Sequence, residues 1–190
     1  MDVLRISKRR RSAATIVAVV TLVTAAGIVT AAPPANASPW PYHFLSRLSY
    51  QCLTVLGSPS ADGATIGQWS CTGATTQSWY MDRVRWNGNE DVWTIRSQFS
   101  GKCMDVAGAD YSPGARVIQY TCVSGAPEQE FFDRPVGRTG SGNTISTIHP
   151  VAAPHMCLDV QGGNHDYGAP LGLWPCEGAY EQQFIGQDVW

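Results

Sequence analysis

The segment CLDVQGGNHDYGAPLGLWPCEGAYEQQF, residues 157–184, decides how the chain is read. Its cysteines, Cys157 and Cys176, stand 19 residues apart. Asp159 follows the first by two, Trp174 precedes the second by two, and Gln182 and Phe184 close the segment as Gln-x-aromatic. The pattern occurs twice more upstream, with Cys52 and Cys71, and Cys103 and Cys122, also 19 apart. At one position past each first cysteine stand Leu53, Met104 and Leu158, and at three past it Val55, Val106 and Val160. At eleven stand Gly63, Gly114 and Gly168, and at seventeen Trp69, Tyr120 and Trp174. Gln77 and Trp79, Gln129 and Phe131, and Gln182 and Phe184 complete the three copies. Self-similarity at a period of 51 and 54 residues, counted between first cysteines, marks an internal repeat.

Each copy reads as four short strands separated by Gly, Asp, Pro and Ser. These are 43–49, 51–57, 64–71 and 78–85; then 92–99, 102–108, 116–122 and 130–136; then 143–150, 155–162, 169–176 and 182–189. Gly63, Gly114 and Gly168 are expected where a turn needs positive φ, and Asn87-Gly88 as a two-residue hairpin turn. Residues 134–143, rich in Gly, Thr and Ser, read as a flexible loop. No 12-residue stretch after the leader carries helical periodicity. One four-strand unit cannot bury its apolar face alone, so three must share a core. The expected fold is all-β: a β-trefoil of twelve strands about a pseudo-threefold axis, filled by the Gln-x-aromatic rings. A seven-strand sandwich leaves the triplication unexplained.

Residues 1–37 read as a secretory leader: Arg5, Lys8, Arg9, Arg10 and Arg11, then an apolar run, then Ala35-Asn36-Ala37 as a small-x-small cleavage site. The arginines lack the apolar residue of a twin-arginine signal, since Ser12-Ala13 follow. The mature domain is then 38–190, with repeats of about 43–90, 91–141 and 142–190. Five of the 13 basic and one of the 15 acidic residues precede Ser38, leaving eight against fourteen, a net charge of −6. Such a surface repels phosphate backbones, so nucleic acid is excluded as a partner class. All six cysteines lie after the leader, where export favours a disulfide framework. Their equal spacing argues for Cys52–Cys71, Cys103–Cys122 and Cys157–Cys176, each stabilising by about 3 kcal/mol. Zinc is disfavoured because no Cys-x-x-Cys occurs. His149 and His155, flanking Pro150 and Pro154, are the nearest approach to a metal pair. No metal or cofactor is expected.

Cys-Leu-Asp-Val (157–160), Leu-Trp-Pro-Cys (173–176), Gln-Gln-Phe (182–184), Lys-Cys-Met-Asp-Val (102–106) and Gln-Tyr-Thr-Cys (119–122) resemble the ricin B-chain-like lectins, which include the family-13 carbohydrate-binding modules. The resemblance covers about residues 43–190. It implies one sugar site per repeat: an Asp accepting from sugar hydroxyls, an aromatic stacking on the ring, and a polar residue before the Gln. The third repeat then offers Asp159, Trp174, Glu181 and Gln182, and the second Asp105, Tyr120, Glu128 and Gln129. The first offers Thr54, Trp69, Thr76 and Gln77; Thr54 in place of Asp predicts a dead or very weak site. Glu128 and Glu181 stand where the family usually has Asn, and an ionised Glu accepts but cannot donate.

The resemblance implies a secreted, monomeric, non-catalytic carbohydrate-binding module. Its ligand would be a galactose- or xylose-type polysaccharide or glycan, and it would have no membrane attachment after leader removal. Two other classes compete. One is a trefoil serving protein contact, as an inhibitor or toxin component with vestigial sugar sites, which would have no need of the Asp–aromatic pairs. The other is a glycosidase using two carboxylates, for which Asp159 and Glu181 are available.

Overall fold

The computed structural model describes residues 40–57 and 59–189, so the expected leader lies outside the described residues. Twelve strands form, each within three residues of its expected bounds. In chain order they are β1 (Tyr42–Ser46), β2 (Cys52–Val55), β3 (Ala64–Trp69), β4 (Trp79–Trp86), β5 (Asp91–Ser97) and β6 (Cys103–Val106). They continue as β7 (Val117–Tyr120), β8 (Phe131–Arg138), β9 (Thr144–Pro150), β10 (Met156–Val160), β11 (Leu171–Pro175) and β12 (Phe184–Asp188).

Six of them close a ring by antiparallel pairing: β1 with β12, β12 with β9, β9 with β8, β8 with β5, β5 with β4, and β4 with β1. Closure leaves this barrel without free edges. The other six form three hairpins, β2–β3, β6–β7 and β10–β11. Each hairpin is sealed by its own bridge: Cys52–Cys71, Cys103–Cys122 and Cys157–Cys176 all join residues within one repeat.

The core forms where the pattern placed it. Trp79, Phe131 and Phe184 are buried together with Leu53, Met104 and Leu158. Trp79 is satisfied by its Nε1 donating to the Leu53 carbonyl at 3.1 Å, as a buried indole requires. The three conserved-position glycines take φ of +81°, +86° and +85° at Gly63, Gly114 and Gly168. That conformation turns each N–H toward a neighbouring repeat: Gly63 donates to the Gln119 carbonyl (2.9 Å), Gly114 to Leu173 (2.8 Å) and Gly168 to Gln68 (2.8 Å). First bonds to second, second to third, and third to first.

Two local expectations are corrected. Asn87 N–H donates to the Glu90 carbonyl, so the hairpin centres on Gly88-Asn89, one residue further on. The reason is the Asn87 side chain, whose Oδ1 accepts from both Asn89 and Glu90 N–H at 2.9 Å. The flexible loop expected over 134–143 contracts to 139–143, because β8 continues to Arg138 through an irregularity between Pro135 and Gly137. That bulge accommodates a proline that lacks a ladder N–H.

Trp79→Ala should destabilise the domain by about 3–5 kcal/mol, since it empties the shared core and leaves the Leu53 carbonyl unpaired. Chemical denaturation of the two proteins measures this; a loss below about 1 kcal/mol would contradict the assignment of Trp79 to a common core.

Candidate functional site

The glutamine of each Gln-x-aromatic ends a single 3-10 turn: Thr75–Gln77, Pro127–Gln129 and Tyr180–Gln182. All three glutamines are buried and spend their amides on the backbone either side of the second cysteine. Their Oε1 atoms accept from Thr72, Val123 and Glu177 N–H, each at 2.8 Å. Their Nε2 atoms donate to the carbonyls of Ser70 (2.8 Å), Thr121 (3.0 Å) and Pro175 (2.9 Å). In the second and third repeats the remaining N–H reaches the aspartate: Gln129 to Asp105 Oδ2 at 2.9 Å and Gln182 to Asp159 Oδ2 at 3.1 Å.

Cys157 stands opposite Trp174 and Asp159 opposite Gly172 across β10 and β11. Strand alternation therefore puts Asp159, Gly172 and Trp174 on one face of the hairpin. Trp174 is 46% exposed and Asp159 only 7%. A Cβ at Gly172 would collide with the Gln161 amide, so glycine makes the room. Asp159, Trp174, Glu181 and Gln182 line one pocket of about 530 Å³ with Gln161, Glu177 and a glycine-rich wall. The four third-repeat residues expected from sequence are thus brought together. Gln161 and Glu177 were missed: Glu177 carries no family signal, and Gln161 depends on a backbone contact that no spacing announces.

In the second repeat, Cys103 pairs with Tyr120 and Asp105 with Ile118. Asp105 is buried and Tyr120 is 43% exposed. Ile118 stands at the position that Gly172 holds in the third repeat. A neighbouring depression of about 490 Å³ is lined by Ala107–Gly108 and the 112–116 loop, not by Asp105, Tyr120, Glu128 or Gln129. Half-buried Tyr111, absent from the sequence reading, has a buried hydroxyl with no partner. Burial raises its pKa, and the charges of Glu128 and Asp105 add to the rise. In the first repeat Thr54 is buried and no acid accompanies Gln77. The Trp69 ring packs on Tyr167 of the third repeat, with centroids 5.3 Å apart.

Burial pushes the Asp159 carboxyl up to about 6; the Gln182 hydrogen bond opposes this, and Glu181 and Glu177 add to it. Asp105 is raised in the same way, by burial first, against the Gln129 bond and with help from Glu128 and Asp62. Among the described residues, the group of three potential metal-ligand atoms that includes His149 does not include His155. His149 instead lies against Cys157 and Cys176, whose sulfurs are bonded to each other and offer no thiolate. A cavity of about 720 Å³ is lined by Tyr42, Phe44, Trp93, Arg138 and Phe184 of the barrel strands and by none of the expected sugar residues.

A family model described as ricin-type β-trefoil lectin domain-like matches residues 34–120 and 83–174. The chain belongs to this ricin-type lectin family. Among solved structures, the designed threefold-symmetric protein ThreeFoil is 27% identical with a TM-score of 0.69, over 78% of this chain and 99% of its own. The C-half of the earthworm R-type lectin, solved in complex with GalNAc, is 21% identical with a TM-score of 0.60, over 80% of this chain and 100% of its own. The exo-β-1,3-galactanase 1,3Gal43A of Clostridium thermocellum is 24% identical with a TM-score of 0.69, over 80% of this chain but 31% of the enzyme. Comparison with curated proteins finds no match. The twelve strands of this ricin-type lectin domain are the β-trefoil that the family's description names.

Asp159 has a native pKa above its unfolded value, so its contribution is unfavourable at high pH. As pH rises from about 3.8 through about 6, the unfolded chain releases this proton first and the folded state loses stability. Asp159→Asn should therefore stabilise by on the order of 2 kcal/mol above pH 7, an advantage that vanishes near pH 3. Urea unfolding across pH measures it; a pH-independent difference would refute the assignment.

Proposed function

We propose that the protein is an exported, non-catalytic carbohydrate-binding module like those of family 13, active after removal of residues 1–37 as a monomeric domain of 38–190. The observation that carries this reading is the third-repeat pocket. It sets an exposed Trp174 ring beside a buried Asp159 whose Oδ2 is fixed by Gln182. A pyranose has one apolar C–H face and a rim of hydroxyls. The indole covers the face, and the carboxylate accepts from the hydroxyls in bonds worth about 1.5–3 kcal/mol each. Such a site supports about millimolar affinity alone. Two sites on one rigid body gain avidity on a polymer, which favours polysaccharide over free monosaccharide.

The second repeat supplies the other site, with Asp105, Tyr120, Glu128 and Gln129. The first is weak, because Thr54 replaces the acceptor and Trp69 is occupied by Tyr167. The repeats are equivalent lobes about a pseudo-threefold axis, a reading supported by the cyclic glycine bonds. Galactose-type glycans are the first to test, since the earthworm relative was solved with GalNAc and the Clostridium relative is a galactanase. One observation favours a glycosidase instead: a carboxyl near pKa 6 beside Glu181 suits a general acid.

Titration of soluble galactan, xylan and arabinan separates the readings. Asp105→Ala with Asp159→Ala should reduce binding at least about a hundredfold by removing charge-assisted bonds at both sites, with thermal unfolding still cooperative. Release of reducing ends would establish the enzyme, and unchanged affinity in the double variant would remove these aspartates from the site.

A further inference from the structure

We infer that the third-repeat pocket selects cationic amino sugars, hexosamine units with a free amine, over neutral or N-acetylated ones. This rests on the sugar-binding reading and names the ligand class of that site. Three carboxylates, Asp159, Glu177 and Glu181, line the pocket, and no Lys or Arg does. None of the three enters any ion pair among the described residues. Arg47, close in the fold, is held by the Gln183 Oε1 and lies over the Tyr180 ring at 4.2 Å.

Asp159 is more than nine-tenths buried, and its Oδ1 accepts no hydrogen bond among the described residues. A buried anion with unused acceptor capacity carries a desolvation cost, and a hydroxyl offsets only part of it. An ammonium supplies both the donor and the opposite charge. Trp174 adds a ring face that attracts cations as well as C–H groups.

A metal ion fits less well. Among the described residues, the only His, Cys, Asp or Glu ligand atoms that gather in threes within 4.8 Å are those of His149, Cys157 and Cys176. The three carboxylates are therefore spread around a ring-sized space, not closed on a point. The repeats also grade in charge at equivalent positions. Thr54, Thr72 and Thr76 hold no acid; Asp105, Val123 and Glu128 hold two; Asp159, Glu177 and Glu181 hold three. Glu181 at the usual Asn position is thus part of a recognition set for charge.

The test is calorimetric titration of the protein with three trimers at about pH 6.5, where an ordinary amine is protonated. The trimers are β-1,4-linked glucosamine, its N-acetylated form and β-1,4-linked galactose. The glucosamine trimer should bind about tenfold tighter than the N-acetylated one, the worth of one charge-assisted bond. Glu177→Gln with Glu181→Gln should erase that preference, whereas Trp174→Ala should weaken all trimers. Equal or tighter binding of the N-acetylated or galactose trimer overturns the inference and leaves the sugar site standing. Persistence of the preference in the double Gln variant also overturns it, as does a trilysine peptide binding as tightly as the glucosamine trimer. If no trimer binds, this inference falls, while the carbohydrate-binding reading still stands or falls on the galactan, xylan and arabinan titrations.

Discussion

A buried amide that cannot be left unsatisfied ties this fold to its site. Gln77, Gln129 and Gln182 each face two backbone groups flanking the second cysteine of their repeat, and each closes both with near-identical distances. Leaving such a buried group unpaired costs about 1–3 kcal/mol, so the side chain is held in one orientation. An amide nitrogen has two hydrogens, and the second is then aimed without freedom. Where an aspartate stands two residues after the first cysteine, that hydrogen fixes it. The glutamine therefore does structural work in all three copies, and orients a carboxylate only where Asp105 or Asp159 is present to receive its hydrogen bond.

The copies diverge around this constant. Gln68 and Gln119 use their amides to hold a neighbouring repeat's loop, at the Asn164 and Asp166 carbonyls and at the Pro59 and Ala61 carbonyls. The equivalent third-repeat residue is Leu173, which cannot do this. The second-repeat loop instead receives Gln161 Nε2 at the Gly114 carbonyl, 3.1 Å away. Gln161 reaches across because Gly172 has no Cβ to block it. One small residue opposite the aspartate thus shapes the third pocket's wall, while the second repeat has Ile118 at the same place. The surroundings of the aspartate differ here without any change in strand pairing.

Most of the fold was legible because triplication tests each reading three times. The strands, the bridges, the buried Trp79, Phe131 and Phe184, and the positive-φ glycines all repeat at fixed offsets. The hairpin at Asn87 was misplaced by one residue because a side-chain cap, invisible to a dipeptide rule, centres the turn on Gly88-Asn89. The loop at 134–143 was overestimated because composition cannot register that Pro135 sits in a bulge of a continuing strand. At the site, residues at fixed offsets from the cysteines were found and those supplied by loops were not. Gln161 enters through a cross-repeat contact that leaves no periodic trace, and Glu177 stands at a fixed offset, but its counterparts, Thr72 and Val123, are not acidic.

The stability of the domain and the chemistry of its site draw on different parts of the molecule. The barrel and its closed ring supply stabilisation through the core, while the bridges close the hairpins that carry the exposed rings of Tyr120 and Trp174. A buried Asp159 with a raised pKa works against folding at neutral pH, yet it lies on a hairpin already closed by Cys157–Cys176 and pinned by Gln182. The hairpin holds that strained charge in place without relying on the charge for its own geometry. A rigid scaffold of this kind accommodates three acids in one copy and none at Thr54 in another, because none of these residues is part of the apolar core cluster. The unequal repeats are then the expected outcome of a triplicated structure whose copies must agree in the apolar core and can differ outside it.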